Sequence, residues 1–188
     1  MVRGVGLTPG VLLVATPSLM DPNFVNSVVM LLESDDDGAL GVIINRPSTL
    51  PIVGVLSQWE GVASDPAVLF RGGPVGPDGA LGVGLLAVPE AEPLGFRSVR
   101  DQIGIVNLDT PVDLLAEAIC ELRIFVGYAG WDAEQLKGEI EEGSWDVLPG
   151  EAGDAFRVDA DRLRHDVLRR QPGQAAWRST RPREPEQN

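Results

Sequence analysis

The chain has 188 residues, with Lys+Arg 15 against Asp+Glu 28, a net charge of −13, 44% hydrophobic and 23% charged residues. That balance excludes a disordered chain, and no apolar run is long enough for a membrane span; it also opposes phosphate backbones unless the few cations gather on one face. The 1 Cys excludes an internal disulfide and points to a reducing, cytoplasmic setting.

In chain order, Val11–Ala15 is a first apolar run, too short and too closely bracketed by Pro9 and Pro17 for a signal peptide. The Pro-rich segment 16–22 reads as a loop and Val28–Leu32 as a strand. Asp35-Asp36-Asp37-Gly38 then predicts a hairpin turn into Ala39–Asn45, because Gly accepts the positive φ such turns require. Ile52, Val55, Leu56 and Trp59 have helical spacing. Val68–Phe70, Leu81–Val88 and Ile103–Leu108 read as strands. Thr110-Pro111 predicts a helix start, with Leu114, Leu115, Ala118, Ile119 and Leu122 as its buried face and Cys120 packed within it. Leu122–Val126 reads as a strand. Asp132, with Gln135 three residues on, predicts a capped helix, and Asp159–Arg170 a last one burying Leu163, Val167 and Leu168. Strands gathered early and helices later predict an α+β fold with a mixed sheet and flanking helices. One domain is expected over residues 1–170, followed by a Pro/Arg-rich, disordered tail over 171–188. The charge is uneven: residues 1–154 carry −16 and residues 155–188 carry +3.

Three blocks stand out: Gly41-Val-Ile-Ile-Asn45-Arg46-Pro47, Arg71-Gly72-Gly73-Pro74-Val75, and Gly127-Tyr128-Ala-Gly-Trp131 running on to Gln135, Glu139 and Trp145. With the opening Gly10–Asp21 and Phe24, their order and spacing resemble the YqgE/AlgH family of bacterial proteins, over about Gly10 to Arg170. The resemblance implies a bifurcated, partly barrel-like sheet, and a role in transcriptional regulation, the description the family takes from a member linked to alginate control. It supplies no catalytic residues. Many members carry a His after Gly-Gly-Pro-Val; this chain reads Ala80-Leu-Gly-Val-Gly-Leu-Leu86 there.

Each block has a structural and a functional reading. Asn45 and Arg46 end a strand, where Asn can close a turn and Arg can pair with an acid, or where a fixed guanidinium can hold a carboxylate or phosphate. Arg71, Gly72 and Gly73 could form an anion-binding nest or simply a tight turn. Tyr128 and Trp131 could wall a pocket with Gln135 and Glu139, one helical turn apart, or anchor a helix to the sheet. A His-based triad would have to use the lone His165, three-His and Cys/His zinc sites are excluded by count, and the Gly clusters lack nucleotide-loop spacing.

Two functions compete on this reading. One is a cytosolic, non-enzymatic regulator that works through a protein partner, with no cofactor, no metal and no direct nucleic-acid or membrane contact. The other is a binder of a small molecule, anion or nucleotide, extending to a hydrolase, with a cleft at Asn45/Arg46 and Trp131. The discriminating feature is whether these side chains converge on one concave pocket.

Overall fold

The strand Ile119–Asp132 (β9) is the longest element and the one on which both halves of the sheet are built. The computed structural model describes residues 6–171. The strands preceding β9 are β1 (Leu12–Ala15), β2 (Val28–Ser34), β3 (Gly38–Ile43), β4 (Pro47–Pro51), β5 (Val68–Arg71), β6 (Val75–Leu86), β7 (Phe96–Arg100) and β8 (Ile103–Val106); β10 (Trp145–Leu148) follows it. Helix α1 spans Ala133–Glu141 and α2 spans Ala160–Arg169.

The strands form one sheet in the order β10-β1-β2-β3-β9-β6-β8-β7, with β4 and β5 branching from β9. All pairings are antiparallel except β5 with β9. The sheet curls into a half-barrel. Its far strand β7 returns towards β2, where Arg97 pairs with Glu33, and Arg100 lies over Gly10.

The expected α+β class with flanking helices is corrected. Of the described residues 39% are strand and 18% helix, in a curled antiparallel half-barrel with two α-helices. The largest error lies at 110–122. Only Val112–Leu114 turns, as a 3₁₀ helix, and the chain is extended from Ile119 onward. Ile119 and Leu122 find cross-strand partners in Leu86 and Gly84, and such pairing overrides a helical sequence pattern. Leu114, assigned to the buried face, is 52% exposed, and Cys120 lies exposed on the strand rather than packed in a helix. Residues 52–59 likewise make turns ending in a short 3₁₀ segment, Ser57–Trp59, that anchors Trp59. Its buried indole donates to the Leu108 carbonyl (3.1 Å). The expected tail lies outside the described residues except for Gln171.

Other elements follow their sequence signals. The Asp35 amide donates to the Gly38 carbonyl (2.9 Å), closing the β2–β3 hairpin. Asp132 caps α1, its carboxylate accepting from the Gln135 amide (2.7 Å). The continuous apolar runs of β1 and β2 reflect strands buried on both faces. Leu12, Val14, Val28 and Met30 join Phe125 and the Leu163 and Val167 of α2 in one core. Leu13, Val29 and Leu31 face the other way, towards Trp131, Leu136 and Trp145. No helix among the described residues is long and apolar enough to cross a membrane.

Candidate functional site

The segment Asp21–Ser27, between β1 and β2, is where most of the singled-out residues meet. It folds on itself first. Phe24 and Val25 amides donate to the Asp21 carbonyl (2.9 and 2.8 Å), Ser27 donates to Phe24 (2.9 Å), and Asn26 takes a positive φ of 60°. The Asp21 carboxylate accepts from the Asn23 amide (2.8 Å), the local bond that makes Asp a turn former.

The end of β3 then grips this loop through side chains. Asn45 accepts from the Val28 amide (2.9 Å) and donates to the Asn26 carbonyl (3.0 Å). The neighbouring Arg46 donates to the carbonyls of Asn23 (2.5 Å) and Val25 (2.9 Å), one on either side of Phe24. The Arg46 guanidinium is held below its ordinary range by burial first and by the charge of Arg71 second, with Asp21 acting in the opposite sense.

Phe24, so fixed, packs between two tryptophans. Its ring lies 5.8 Å from Trp131 and 5.6 Å from Trp145, and the two indoles meet edge to face at 5.8 Å. Edge contacts of this kind add to simple burial because the positive ring edge meets the negative face. Both indole N–H groups converge on one carboxylate oxygen: Glu139 Oε2 accepts from Trp131 (3.0 Å) and Trp145 (2.7 Å). Its other oxygen accepts from the Gln135 side-chain Nε2 (2.9 Å). Gln135 and Glu139 share a helix face, as their spacing predicts; Glu139 turns to the two tryptophans while Gln135 stays exposed.

The glycines have a steric role. A Cβ on Gly72 would run into the Gly127 carbonyl, and one on Gly73 into the Tyr128 carbonyl, so the β5–β6 turn crosses β9 at backbone contact. Gly127 itself has φ +69°, a conformation that favours glycine. The Gly72 amide donates to Val126 (2.8 Å) and is spent inside the sheet. Tyr128 is half-buried and packs against the first core. Arg71 stands exposed beside Arg46, its amide donating to the Arg46 carbonyl (2.9 Å).

Thus the structure brings Asn45, Arg46, Trp131, Gln135 and Glu139 together through the loop of Phe24, while Arg71, Gly72, Gly73 and Tyr128 lie at the adjoining β5–β6–β9 crossing. A depression of about 310 Å³ lies elsewhere, between Leu7, the Ser34–Gly38 turn, Leu136 and Lys137, and none of the nine residues lines it. Among the described residues no group of three or more His, Cys, Asp or Glu side chains is placed to hold a metal ion.

One residue escaped the sequence reading. Arg123 is 1% exposed, with its guanidinium 4.2 Å over the Phe70 ring and Nη2 on the carbonyls of Asp65 (2.9 Å) and Arg157 (3.4 Å). Burial lowers it to about 10, against the pull of Glu121 and Asp65. Its only sequence signal is a charge in the apolar run Leu122–Val126.

The loop clamp gives a direct expectation. Asn45→Ala leaves the Val28 amide without its acceptor and should cost about 1–3 kcal/mol, read as a lower urea midpoint at unchanged slope. An unchanged midpoint would mean the bond contributes nothing.

A family model described as AlgH-like matches residues 12–176. A UPF0301 protein of Streptomyces coelicolor is 48% identical over 182 residues, covering 95% of this chain and 94% of its own length. Among solved structures, the crystal structure of protein DIP2367 from Corynebacterium diphtheriae superposes with a TM-score of 0.89 at 29% identity, covering 96% of this chain and 95% of that one. The solution structure of the AlgH protein from Pseudomonas aeruginosa has a TM-score of 0.69 at 24% identity, covering 96% and 98%, and shares the fold.

Proposed function

Taking as premise that the chain belongs to the AlgH-like family, we propose that it is a cytosolic regulatory protein acting through a protein partner, without catalysis and without direct DNA contact. The observation that carries this reading is how the motif side chains are used. Asn45, Arg46, Trp131, Gln135 and Glu139 direct their hydrogen bonds to backbone, to one another or to Trp145, and between them they hold a surface loop. A catalytic set would instead aim its polar atoms at a shared reactant position. The loop displays Val25, and Met20 stands just before it, 40% and 78% exposed, as a recognition surface does. The body charge of −16, and two described α-helices that are separated by β10 and not joined as a helix-turn-helix, favour protein over DNA as the partner.

The test is a photo-crosslinking amino acid placed at Val25, with Val88 (63% exposed) as the control position, in the living bacterium. A discrete adduct from Val25 that is missing from Val88 is expected. Adducts identical at both positions, or tight salt-dependent binding of the purified protein to promoter DNA, would contradict the reading. The competing reading, an anion ligand, is favoured by one observation, the proximity of Arg46 and Arg71.

A further inference from the structure

We infer that Arg46 and Arg71 together form a docking site for a short acidic segment of a partner protein, whose carboxylate bridges the two guanidinium groups. The inference rests on the partner reading above and names the chemistry of the contact.

The register places the two arginines face to face. Pro47 pairs with Phe70 in the antiparallel β4–β5 ladder. One step on, the Arg71 amide donates to the Arg46 carbonyl (2.9 Å), so these residues stand opposite each other. Directly opposed side chains of an antiparallel pair share a face, and like charges there oppose folding. The lowered Arg46 value, to which Arg71 contributes, agrees with that geometry.

Neither guanidinium forms an ion pair with a described residue, and the Asp21 charge acts on Arg46 only without a direct bond. Arg46 spends two N–H groups on the uncharged carbonyls of Asn23 and Val25 and keeps the rest of its fork free. The exposed Arg71 side chain has no hydrogen bond or ion pair with any described residue. Two guanidinium forks on one face match the paired oxygens of a carboxylate or phosphate.

The surroundings choose between sources of that oxyanion. A polyanion meets the field of the whole acidic body, whereas a short segment bearing one or two acids does not. Apolar side chains flank the pair along the chain, Val25 on the loop that Arg46 holds and Leu50 at 57% exposure on β4, and these suit a peptide better than a free ion.

The experiment is an NMR titration of the full-length protein, following the Arg Nε–Hε resonances. The probes are a capped tetrapeptide, isoleucine–glutamate–aspartate–isoleucine, its glutamine–asparagine analogue, inorganic phosphate, and a short single-stranded DNA. Saturable shifts of the Arg46 and Arg71 signals with the acidic peptide, and not with its neutral analogue, are expected. Arg71→Glu should weaken that binding about tenfold or more. It should also raise the melting temperature by about 1–3 °C, because an opposed like pair becomes an opposite pair. Arg46 is left intact because its loss would release the loop. The inference is overturned if the acidic peptide gives no saturable shift, if Arg71→Glu binds it as well as wild type, or if Arg71→Glu lowers the melting temperature. Tighter binding of phosphate or DNA than of the peptide also overturns it, in favour of a free anion or a nucleic acid. The cross-link at Val25 does not need Arg71, so a partner caught there with no peptide binding would refute this contact alone.

Discussion

Glu139→Ala is expected to destabilise the protein by about 3–5 kcal/mol, one of the two largest single-residue effects the structure implies. The Glu139 carboxylate is the common acceptor of Trp131, Trp145 and Gln135. The two indoles are 6% and 3% exposed, so their N–H groups have little access to water once the carboxylate is gone. An orphaned buried donor costs about 1–3 kcal/mol, and hydrogen bonds to a charged group are worth more than neutral ones. Alanine removes the acceptor for both indoles at once. Glutamine keeps an oxygen of similar reach without the charge, and since charge-assisted bonds are roughly twice as strong as neutral ones, Glu139→Gln should lose about half as much. Urea denaturation followed by tryptophan fluorescence measures both. Equal midpoints for wild type and Glu139→Ala would show that the cluster is held by packing alone.

Asp154→Ala should cost about 3 kcal/mol, at the other side of the sheet. The Asp154 side chain is 4% exposed and takes both ends of the Arg170 fork, at 2.9 and 2.5 Å, while its Oδ2 also accepts from the Glu151 amide (2.8 Å). Removing one member of a buried pair strands the other charge, typically for about 3–5 kcal/mol. The low end applies here because Arg170 keeps the exposed Glu151 as a second partner at 3.2 Å. That bridge ties the end of α2 to the 3₁₀ segment Ala152–Phe156, and α2 supplies Leu163, Val167 and Leu168 to the first core. Hydrogen exchange in α2 should therefore rise more than in β1 and β2. A midpoint within about 0.5 kcal/mol of wild type, the range of ordinary surface changes, would contradict the account.

What could be read from the sequence was local. The Asp35–Gly38 turn, the Asp132 cap and the apolar stripe of α2 depend on neighbours within a few residues, and each took the expected form. The segment 110–122 failed for the opposite reason: its helical spacing is real, but the partners that decide its conformation, Leu86 and Gly84, are remote in sequence. The strands β4, β7 and β10 carry too few residues or too many exposed ones to show a period. The count of strand against helix followed from those errors.

The site divides in the same way. The grouping of Asn45, Arg46, Trp131, Gln135 and Glu139 in blocks was legible, and so was the family. What they do was not, because Phe24 is the hub, and its connection to positions 46, 131 and 145 exists only once the sheet has closed. Arg71 was legible as a charge beside two glycines. Only the β4–β5 register shows that it faces another arginine.

The central claim is that distant motif residues hold one surface loop. Amide hydrogen exchange at Phe24, Val25 and Ser27, compared between wild type and Glu139→Gln, tests it most directly. All three amides are bonded within the loop, and none touches Glu139. The account predicts that their exchange quickens in the variant, transmitted from the carboxylate through Trp131 and Trp145 to the Phe24 ring. Faster exchange confined to α1, with the loop amides unchanged, would contradict it.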